Sequence, residues 1–117
     1  MTEVTDWIQL WRELVLSAGC LHAGKRFAEG EDAWRGHAET YLQRVRKRWA
    51  EPDSSRQTIL SRVGSSDTVL DIGAGAGTWA VLLARHVRRV TAVEPSAAMR
   101  AMMEQVLAEE GIDNVTV

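Results

Sequence analysis

A short apolar segment that ends on an acidic residue and turns through three alternating glycines limits this chain to few folds. The segment is Val69-Leu-Asp-Ile-Gly-Ala-Gly-Ala-Gly77. Branched apolar residues over 68–72 are typical of a buried parallel strand. The glycines permit positive φ angles and a close approach of the backbone to a ligand, and the residues after them predict a helix. We therefore predict a strand–loop–helix unit of an α/β fold.

The residues that follow continue the same alternation of strands and helices. Residues 78–87 are predicted to form a helix and residues 89–93 a second parallel strand, which completes a βαβ unit. We expect Ser96 to cap a further helix that ends near Gly111, and residues 114–117 to begin a third strand. The predicted fold class is α/β, with a Rossmann-like parallel sheet truncated after the start of strand 3.

Three amphipathic helices are predicted before the first strand. Their apolar residues recur at helical spacing over residues 7–15, 34–49 and 59–63. This pattern predicts an N-terminal helical segment over residues 1–64 and the start of a sheet domain over residues 65–117. The caps of the first and third helices are expected at Thr5 or Asp6 and at Asp53 or Ser54.

The predicted sheet is small for a parallel sheet. Such sheets are usually covered by helices on both faces and continued by further strands at their edges. Two complete strands and the start of a third are encoded here. We therefore expect the chain to be part of a longer protein or to be completed by another chain. We also expect self-association through the open edge of the first strand.

Composition and charge argue against several kinds of partner. Fourteen basic and sixteen acidic side chains give a formal net charge of −2, which offers no overall field to hold a polyanion or an anionic lipid. The single Cys20 allows no internal disulfide, and the three histidines have no metal-ligand spacing. The start lacks a signal-peptide pattern, and no stretch approaches the ~20 apolar residues of a membrane span. We expect a cytoplasmic protein with no metal, no membrane and no nucleic-acid partner.

The glycine loop and the ends of the two strands carry the candidate chemistry. The helix after the loop points amide groups and the positive end of a dipole at any anionic group. Asp71 adds a carboxylate beside the loop. Glu94 ends the second strand 21 residues after Gly73, where an acidic side chain can accept both hydroxyls of a ribose. The pattern favours a cofactor that contains adenosine.

The glycine spacing alone leaves two cofactor classes open. Gly75-x-Gly77-x-x-Ala80 satisfies the alanine form of the dinucleotide fingerprint, which keeps open half of a nicotinamide-dependent oxidoreductase. Asp71 argues against it, because a carboxylate there would repel a pyrophosphate and attract the ammonium of an amino-acid moiety. A third interpretation is a non-catalytic interaction module with a cofactor-type fold, whose tryptophan-rich helices form the partner surface.

Residues 67–117 resemble the class I S-adenosylmethionine-dependent methyltransferases. The resemblance rests on D-x-G-x-G-x-G from Asp71 to Gly77, on Glu94, and on an acidic-x-Ser-x-x-Met start of the next helix. It implies S-adenosylmethionine as cofactor and methyl transfer to a nucleophile, most often a small molecule. It also implies that this chain supplies the cofactor-binding half and is inactive alone, because the family's fourth and later strands are missing.

The resemblance implies roles for individual residues. The glycine loop would wrap the methionine part of the cofactor, Asp71 would contact its amino group, Glu94 would hold the ribose, and Met99 would lie near the adenine. Tyr41, in a segment that would close over the cofactor as a lid, is expected to contact the cofactor's carboxylate. No catalytic residue is predicted. The candidate cofactor-binding residues are Asp71, Gly73, Ala74, Gly75, Gly77, Glu94, Pro95, Ser96, Met99 and Tyr41.

Overall fold

The chain divides into two compact units. The first is Met1–Glu31 and the second is Asp32–Val117. The computed structural model describes the second unit throughout and a few residues of the first. The described residues are 6, 8–10, 13–14 and 31–117.

The described part of the first unit contains the start of the first predicted helix. The Asp6 carboxylate accepts hydrogen bonds from the backbone amides of Ile8 and Gln9 at 3.0 and 3.1 Å. Asp6 is thus one of the two caps that the sequence predicts, and its carbonyl oxygen accepts the Leu10 amide. Most of the predicted helix over residues 7–15 lies outside the described residues.

The second unit alternates helices and strands. Over residues 32–117 the elements in chain order are α1 (Ala38–Ala50), α2 (Ser54–Leu60), β1 (Thr68–Ile72), α3 (Ala80–Ala84), β2 (Arg89–Val93), α4 (Ala97–Glu109) and β3 (Val115–Thr116). This order confirms the α/β class predicted from the sequence.

The three strands form one parallel sheet in the order β1-β2-β3. Thr68 pairs with Arg89 and Ile72 with Val93, so β1 and β2 are aligned over their full length. β3 adds two residues beside β2. The described sheet is therefore the Rossmann-like parallel sheet of the prediction, carried to the first residues of its third strand.

The hydrophobic core lies on one face of this sheet. Val90 and Ala92 of β2 point into it and are 0% and 3% exposed. Helices α1, α3 and α4 supply most of the other buried side chains of the same cluster, and Met99 and Met103 of α4 are among its most enclosed members. The helices thus cover the sheet from one side.

The opposite face of the sheet carries apolar side chains that no residue of the described ranges buries. Leu70 and Ile72 of β1 are 60% and 76% exposed, and Val93 of β2 is 47% exposed. Parallel strands are usually apolar on both faces because both faces are covered. Within the described structure the prediction of a buried strand over 68–72 is therefore only partly met, because Val69 and Asp71 are half-buried on the covered face and the residues on the other face are exposed.

Two helices are shorter than their sequence patterns predict. Residues 33–37 form turns, so α1 begins at Ala38 rather than near Trp34. α3 covers five of the ten residues predicted over 78–87, because the glycine loop continues as turns up to Trp79 and the chain bends towards β2 after the helix. The third predicted helix is capped by Asp53, whose carboxylate accepts the Arg56 amide.

Asn114 connects the last strand to the end of α3. Its side-chain amide donates to the carbonyl oxygens of Ala84 and Val87 at 2.7 and 3.2 Å. The last carbonyls of a helix have no intrahelical donor. The short helix α3 is therefore capped at its C-terminus by a residue that lies 30 positions after Ala84.

Candidate functional site

The candidate site lies at the carboxyl edge of the sheet. Asp71 of β1 pairs with Ala92 of β2 near the ends of both strands. The glycine loop follows β1 directly, and Glu94 follows β2 directly. Ligands of open α/β sheets bind outside the carboxyl ends of the strands. The topology thus brings together the two acidic residues and the glycine loop that the sequence singled out.

Glu94 is fixed against the glycine loop by two backbone hydrogen bonds. Its Oε2 accepts the Gly75 amide at 2.7 Å, and its Oε1 accepts the Ser96 amide at 2.9 Å. Hydrogen bonds from an amide to an ionised carboxylate are stronger than those between neutral groups. The Glu94 carboxylate therefore joins the loop after β1 to the loop after β2.

Asp71 is the second carboxylate at this edge, and its surroundings differ from those of Glu94. The side chain is half-buried, and its buried Oδ2 has no hydrogen-bond partner among the described residues. Burial raises the pKa of Asp71 above its ordinary value, a backbone hydrogen bond from Ala80 opposes this, and the nearby charge of Glu94 raises the pKa further. Asp71 is thus a carboxylate in need of a donor.

The backbone of the glycine loop is held by hydrogen bonds within the chain. The Gly73 and Ala74 amides donate to the carbonyl oxygen of Val93 at 2.8 and 3.1 Å, and the Gly77 amide donates to that of Ala74 at 3.0 Å. The Gly75 amide donates to a carboxylate, as described above. These four loop amides have internal acceptors, because the loop folds back onto the end of β2. They precede the helix whose N-terminal amides were expected to face an anion, and that expectation stays a prediction.

Gly77 is required by its surroundings as well as by its backbone angle. Its φ of 93° is one that side chains other than glycine rarely allow. A Cβ at this position would also lie 2.9 Å from Cγ2 of Val81 and 3.0 Å from Cγ of Met103. The loop therefore lies directly on α4, and a larger residue at position 77 would push the two apart.

Two aromatic residues border the loop on the side of α1. Cε1 of Tyr41 lies 3.5 Å from the position of a Cβ on Gly75, so its ring lies against this glycine. Trp34, in the turn before α1, packs edge-on against Tyr41 with ring centroids 5.3 Å apart. The structure thus places Tyr41 beside the glycine loop, and its contact with a cofactor carboxylate stays a prediction.

The start of α4 is capped by two side chains. Oγ of Ser96 accepts the Met99 amide at 3.1 Å and donates to Oδ1 of Asp32 at 2.8 Å. Oδ2 of Asp32 accepts the Ala98 amide at 2.9 Å. These hydrogen bonds hold the pKa of Asp32 below its ordinary value, and the bond from the Ala98 amide contributes most. Ser96 is the cap that the sequence predicts, whereas no spacing rule connects it with Asp32, 64 positions earlier.

Pro95 and Met99, the other predicted site residues of this region, differ in their exposure. Pro95 is exposed, and its carbonyl oxygen accepts a hydrogen bond from Arg100 at 3.0 Å. Met99 is 1% exposed and packs within the core. The structure therefore gives Met99 a packing role, and its position near an adenine stays a prediction.

The C-terminal end of α1 is also fastened to the residues after the glycine loop. Nε1 of Trp49 donates to the carbonyl oxygen of Thr78 at 2.8 Å. The guanidinium group of Arg48 lies over the ring of Trp79, 5.7 Å from its centroid. Helix α1 thus contacts this region both at Tyr41 and at Trp49.

The described residues contain neither a cluster of metal ligands nor a helix that could span a membrane. Among them, no group of three His, Cys, Asp or Glu side chains is placed to hold an ion. Cys20 and His22 lie outside the described residues. None of the helices within the same ranges is long and apolar enough to span a bilayer.

Known proteins share this arrangement. Residues 69–117 match a protein family described as "Methyltransferase domain". The matched range starts in β1 and contains the glycine loop, Glu94, α4 and β3. Residues 69–117 thus match a methyltransferase domain, and this match supports the class I S-adenosylmethionine-dependent family that the sequence resembles.

Curated relatives of this methyltransferase domain match about half of the chain. Protein-L-isoaspartate O-methyltransferase 2 of Syntrophobacter fumaroxidans is 42% identical over 60 residues, which are 51% of this chain and 24% of that protein. Ribosomal RNA small subunit methyltransferase G of a Nocardioides species is 48% identical over 61 residues, which are 50% of this chain and 24% of that protein. The chain thus spans about a quarter of the length of these relatives.

The methyltransferase domain also has a similar fold among solved structures. An rRNA methylase from Streptococcus thermophilus superposes with a TM-score of 0.50 at 23% identity. The superposition covers 52% of this chain and 37% of that one. At this identity the likeness concerns the fold.

The relatives correct one expectation about partners. The sequence analysis excluded a nucleic-acid partner from the net charge of −2, and this exclusion is wrong. A relative at 48% identity is named as a ribosomal RNA methyltransferase, so a net charge of this size does not exclude a nucleic-acid partner. The matched part is 24% of that relative. The net charge of a cofactor-binding part therefore does not report on the surface that binds the acceptor.

Proposed function

We propose that this chain binds S-adenosylmethionine at the carboxyl edge of its sheet and supplies the cofactor-binding part of a methyltransferase. One observation carries the proposal, namely the two carboxylates at that edge. Glu94 is fixed against the glycine loop, while Asp71 keeps a buried oxygen that no residue of the described ranges bonds. A ligand with neighbouring ribose hydroxyls and an ammonium group satisfies both carboxylates.

We assign the ribose to Glu94. Each of its oxygens already accepts one backbone amide, from Gly75 or from Ser96. A carboxylate offers about four lone-pair positions, so each oxygen can also accept one ribose hydroxyl. Because the amides hold the carboxylate in place before a ligand arrives, little ordering is left to oppose binding.

We assign the amino group of the methionine part to Asp71. A half-buried carboxylate has lost part of its hydration, and this loss is costly unless hydrogen bonds replace it. An ammonium group beside Asp71 would supply both a hydrogen bond and an opposite charge. It would also lower the raised pKa of the carboxyl.

The other assignments place the backbone and the packing residues around the same ligand. When bound, the cofactor supplies an electrophilic sulfonium methyl group that a nucleophile can displace in line. The chain's own residues orient that group and exclude water from it. The loop would wrap the methionine part, Tyr41 would contact its carboxylate as part of a covering segment, and the start of α4 would border the adenine. These residues are Gly73, Ala74, Gly75, Gly77, Tyr41, Pro95, Ser96 and Met99.

A nicotinamide dinucleotide fits this edge less well. Its pyrophosphate would need loop amides as donors, and the amides of Gly73, Ala74, Gly75 and Gly77 have internal acceptors. The carboxylate of Asp71 would add repulsion. The geometry thus favours the methyltransferase cofactor over the dinucleotide of the oxidoreductase alternative, although the glycine spacing from Gly75 to Ala80 also satisfies the dinucleotide fingerprint.

The acceptor is a separate matter from the cofactor. The sequence prediction of a small-molecule acceptor stays a prediction, and the names of the curated relatives give protein L-isoaspartate and ribosomal RNA as acceptors of those proteins. Asp71 and Glu94 are both assigned to the cofactor, and no residue of the described ranges is assigned as a general base. We therefore expect cofactor binding without methyl transfer by this chain alone.

Calorimetric titration with S-adenosylhomocysteine, the demethylated product, tests the proposal. NAD serves as the control ligand. The informative variant is Asp71→Asn, which keeps the shape of the side chain and removes its charge. Its matched control is Asp67→Asn, immediately before the start of the same strand, where the carboxylate accepts the Gly64 amide.

We expect the unsubstituted chain and Asp67→Asn to bind S-adenosylhomocysteine and not NAD. Asp71→Asn should bind the same ligand about tenfold more weakly, the effect of losing one charge-assisted hydrogen bond. Equal binding by Asp71→Asn and Asp67→Asn would remove Asp71 from the site. Preference for NAD would overturn the proposed function.

A further inference from the structure

Asp32 has a place in the structure that the assignments above do not use. It lies before α1, yet both oxygens of its carboxylate reach the start of α4. Oδ1 accepts the Ser96 hydroxyl, and Oδ2 accepts the Ala98 amide. Oδ1 also accepts the Trp34 amide of its own turn at 3.0 Å. Asp32 therefore bonds two segments of the chain at once.

From Asp32, a path of hydrogen bonds leads to the glycine loop. Asp32 holds the side chain of Ser96, whose backbone amide donates to Oε1 of Glu94. Oε2 of Glu94 accepts the Gly75 amide. Glu94, the residue assigned to the ribose, is thus held by Gly75 of the loop and by Ser96, which Asp32 bonds.

A second path leads from Asp32 to the same glycine through aromatic rings. The Trp34 amide donates to Asp32, and the Trp34 ring packs edge-on against Tyr41. The ring of Tyr41 in turn lies against Gly75. The two paths start at one carboxylate and end at one loop residue, so the contacts close into a ring that includes Glu94, Gly75 and Tyr41 of the candidate cofactor site.

We propose that Asp32 is a positioning residue for the cofactor: by closing this ring it holds Glu94 and Tyr41 in place against the glycine loop. The inference rests on the proposed function and assigns a role to a residue outside the part of the chain that matches the methyltransferase family. Asp32 itself need not touch the ligand. Its effect on binding passes through Ser96 and Trp34.

The test compares two aspartates that cap helices. Asp32→Asn keeps the size of the side chain but replaces one acceptor oxygen by an NH₂ group, which cannot accept the Ala98 amide or the Ser96 hydroxyl. Asp53→Asn makes the same change at the start of α2, where the carboxylate accepts the Arg56 amide at 2.8 Å outside the ring. Each variant removes the charge and one acceptor oxygen from an aspartate that caps a helix, and the amide oxygen that remains can still accept one N–H.

Binding of S-adenosylhomocysteine is the first readout. We expect Asp32→Asn to bind about tenfold more weakly than the unsubstituted chain, because charge-assisted hydrogen bonds that order the site are lost. Asp53→Asn should bind within about twofold of it, since surface changes away from a site have small effects. Equal affinities of the two variants for this ligand would overturn the proposal.

Amide hydrogen exchange of the ligand-free chain is the second readout, and it separates positioning from local capping. Loss of a cap alone accelerates exchange near Ala98. Positioning through the ring predicts faster exchange at the Gly75 amide as well, in Asp32→Asn and not in Asp53→Asn. Unchanged exchange at Gly75 would overturn the proposal.

The two readouts also separate this inference from the proposed function. If the unsubstituted chain fails to bind S-adenosylhomocysteine, the proposed function fails for this chain, and exchange at Gly75 still decides whether Asp32 holds the loop. If Asp32→Asn does not fold, Asp32→Ser replaces it. A serine can still bond the Trp34 amide within the turn but is too short to hold Ala98, and the same acceleration at Gly75 is expected.

Discussion

The two faces of the sheet are built from the same strands and have opposite surroundings. On one face, Val90 and Ala92 are buried beneath α1, α3 and α4. On the other, Leu70, Ile72 and Val93 are 60%, 76% and 47% exposed. Both faces carry large apolar side chains, and the helices that cover one face make the difference in exposure between them.

The comparison shows how the candidate site depends on one face only. The side chain of Asp71 is partly buried, like Val69 on the same face of β1, and Met103 of α4 lies beneath Gly77. Glu94 and Ser96 follow β2 and lead into α4. The helices of the covered face thus organise the cofactor edge, whereas the open face contributes none of the residues proposed to hold the cofactor.

The largest effect that would sharpen this comparison is expected at Met103, on the covered face. Met103→Ala should lower the free energy of unfolding by about 2–5 kcal/mol, because it removes fully buried side-chain atoms and leaves a cavity. Met102→Ala, at the neighbouring and partly buried position, should cost less than half as much. Urea denaturation measures both, and equal costs would show that the core under the loop is loosely packed.

Glu94→Ala tests whether the carboxylate that follows β2 contributes to binding of the cofactor. We expect the binding free energy of S-adenosylhomocysteine to weaken by about 1–3 kcal/mol, because the ribose hydroxyls and two backbone amides lose an acceptor. Glu109→Ala removes a carboxylate that pairs with Arg46 on the surface of α4 and should leave the affinity unchanged. Calorimetry that finds no loss for Glu94→Ala would remove that residue from the site.

Asp71 gives the comparison a pH dependence. The pKa of its carboxyl is raised in the folded chain, so its charge opposes folding above that pKa, and this cost is relieved as the pH falls through it. Asp71→Asn should therefore raise the melting temperature of the ligand-free chain at neutral pH, and the gain should shrink on acidification. Binding of S-adenosylhomocysteine by the unsubstituted chain should weaken over the same range, because a protonated Asp71 no longer attracts an ammonium group.

Thermal melts and titrations at a series of pH values measure both trends. Asp67→Asn is again the control, because it makes the same change at an exposed aspartate immediately before β1. A melting temperature that falls in Asp71→Asn at neutral pH would contradict the picture of a carboxylate whose buried Oδ2 lacks a donor among the described residues.

The smallest effect is expected on the open face. Ile72→Thr should change the free energy of unfolding by no more than about 0.5 kcal/mol, since the side chain it replaces is 76% exposed. Val90→Thr, the same kind of change on the covered face, buries a hydroxyl and should cost well over 1 kcal/mol. A large cost at Ile72 would show that something buries the open face in solution.

The sequence predicts those parts of the fold that local residues determine. Apolar runs bounded by turns give β1 and β2, the glycines give the loop between β1 and α3, and Ser96 gives the start of α4 as observed. The alternation of these elements was sufficient to predict a parallel sheet. Glu94 and the glycine loop were also expected to lie together, since consecutive parallel strands end at the same edge.

Other features depend on contacts between distant residues, and local patterns do not contain them. Asp32 caps α4 from 64 positions away, and the only local sign is an acidic residue before a turn. Helix α3 ends where the chain bends towards β2. Its apolar residues would have allowed a longer helix. The exposure of Leu70 depends on what lies above the sheet, which the residues of β1 do not encode.

The bond from Asn114 to the end of α3 has a consequence for the order in which the chain folds. A helix of five residues cannot nucleate alone in water, because its first turn fixes several residues for one hydrogen bond. The carbonyl oxygen of its last residue, Ala84, accepts the Asn114 side chain only once that residue, next to β3, has docked. The glycine loop leads into this helix, so the cofactor edge should become ordered among the last steps of folding, after the strands have paired.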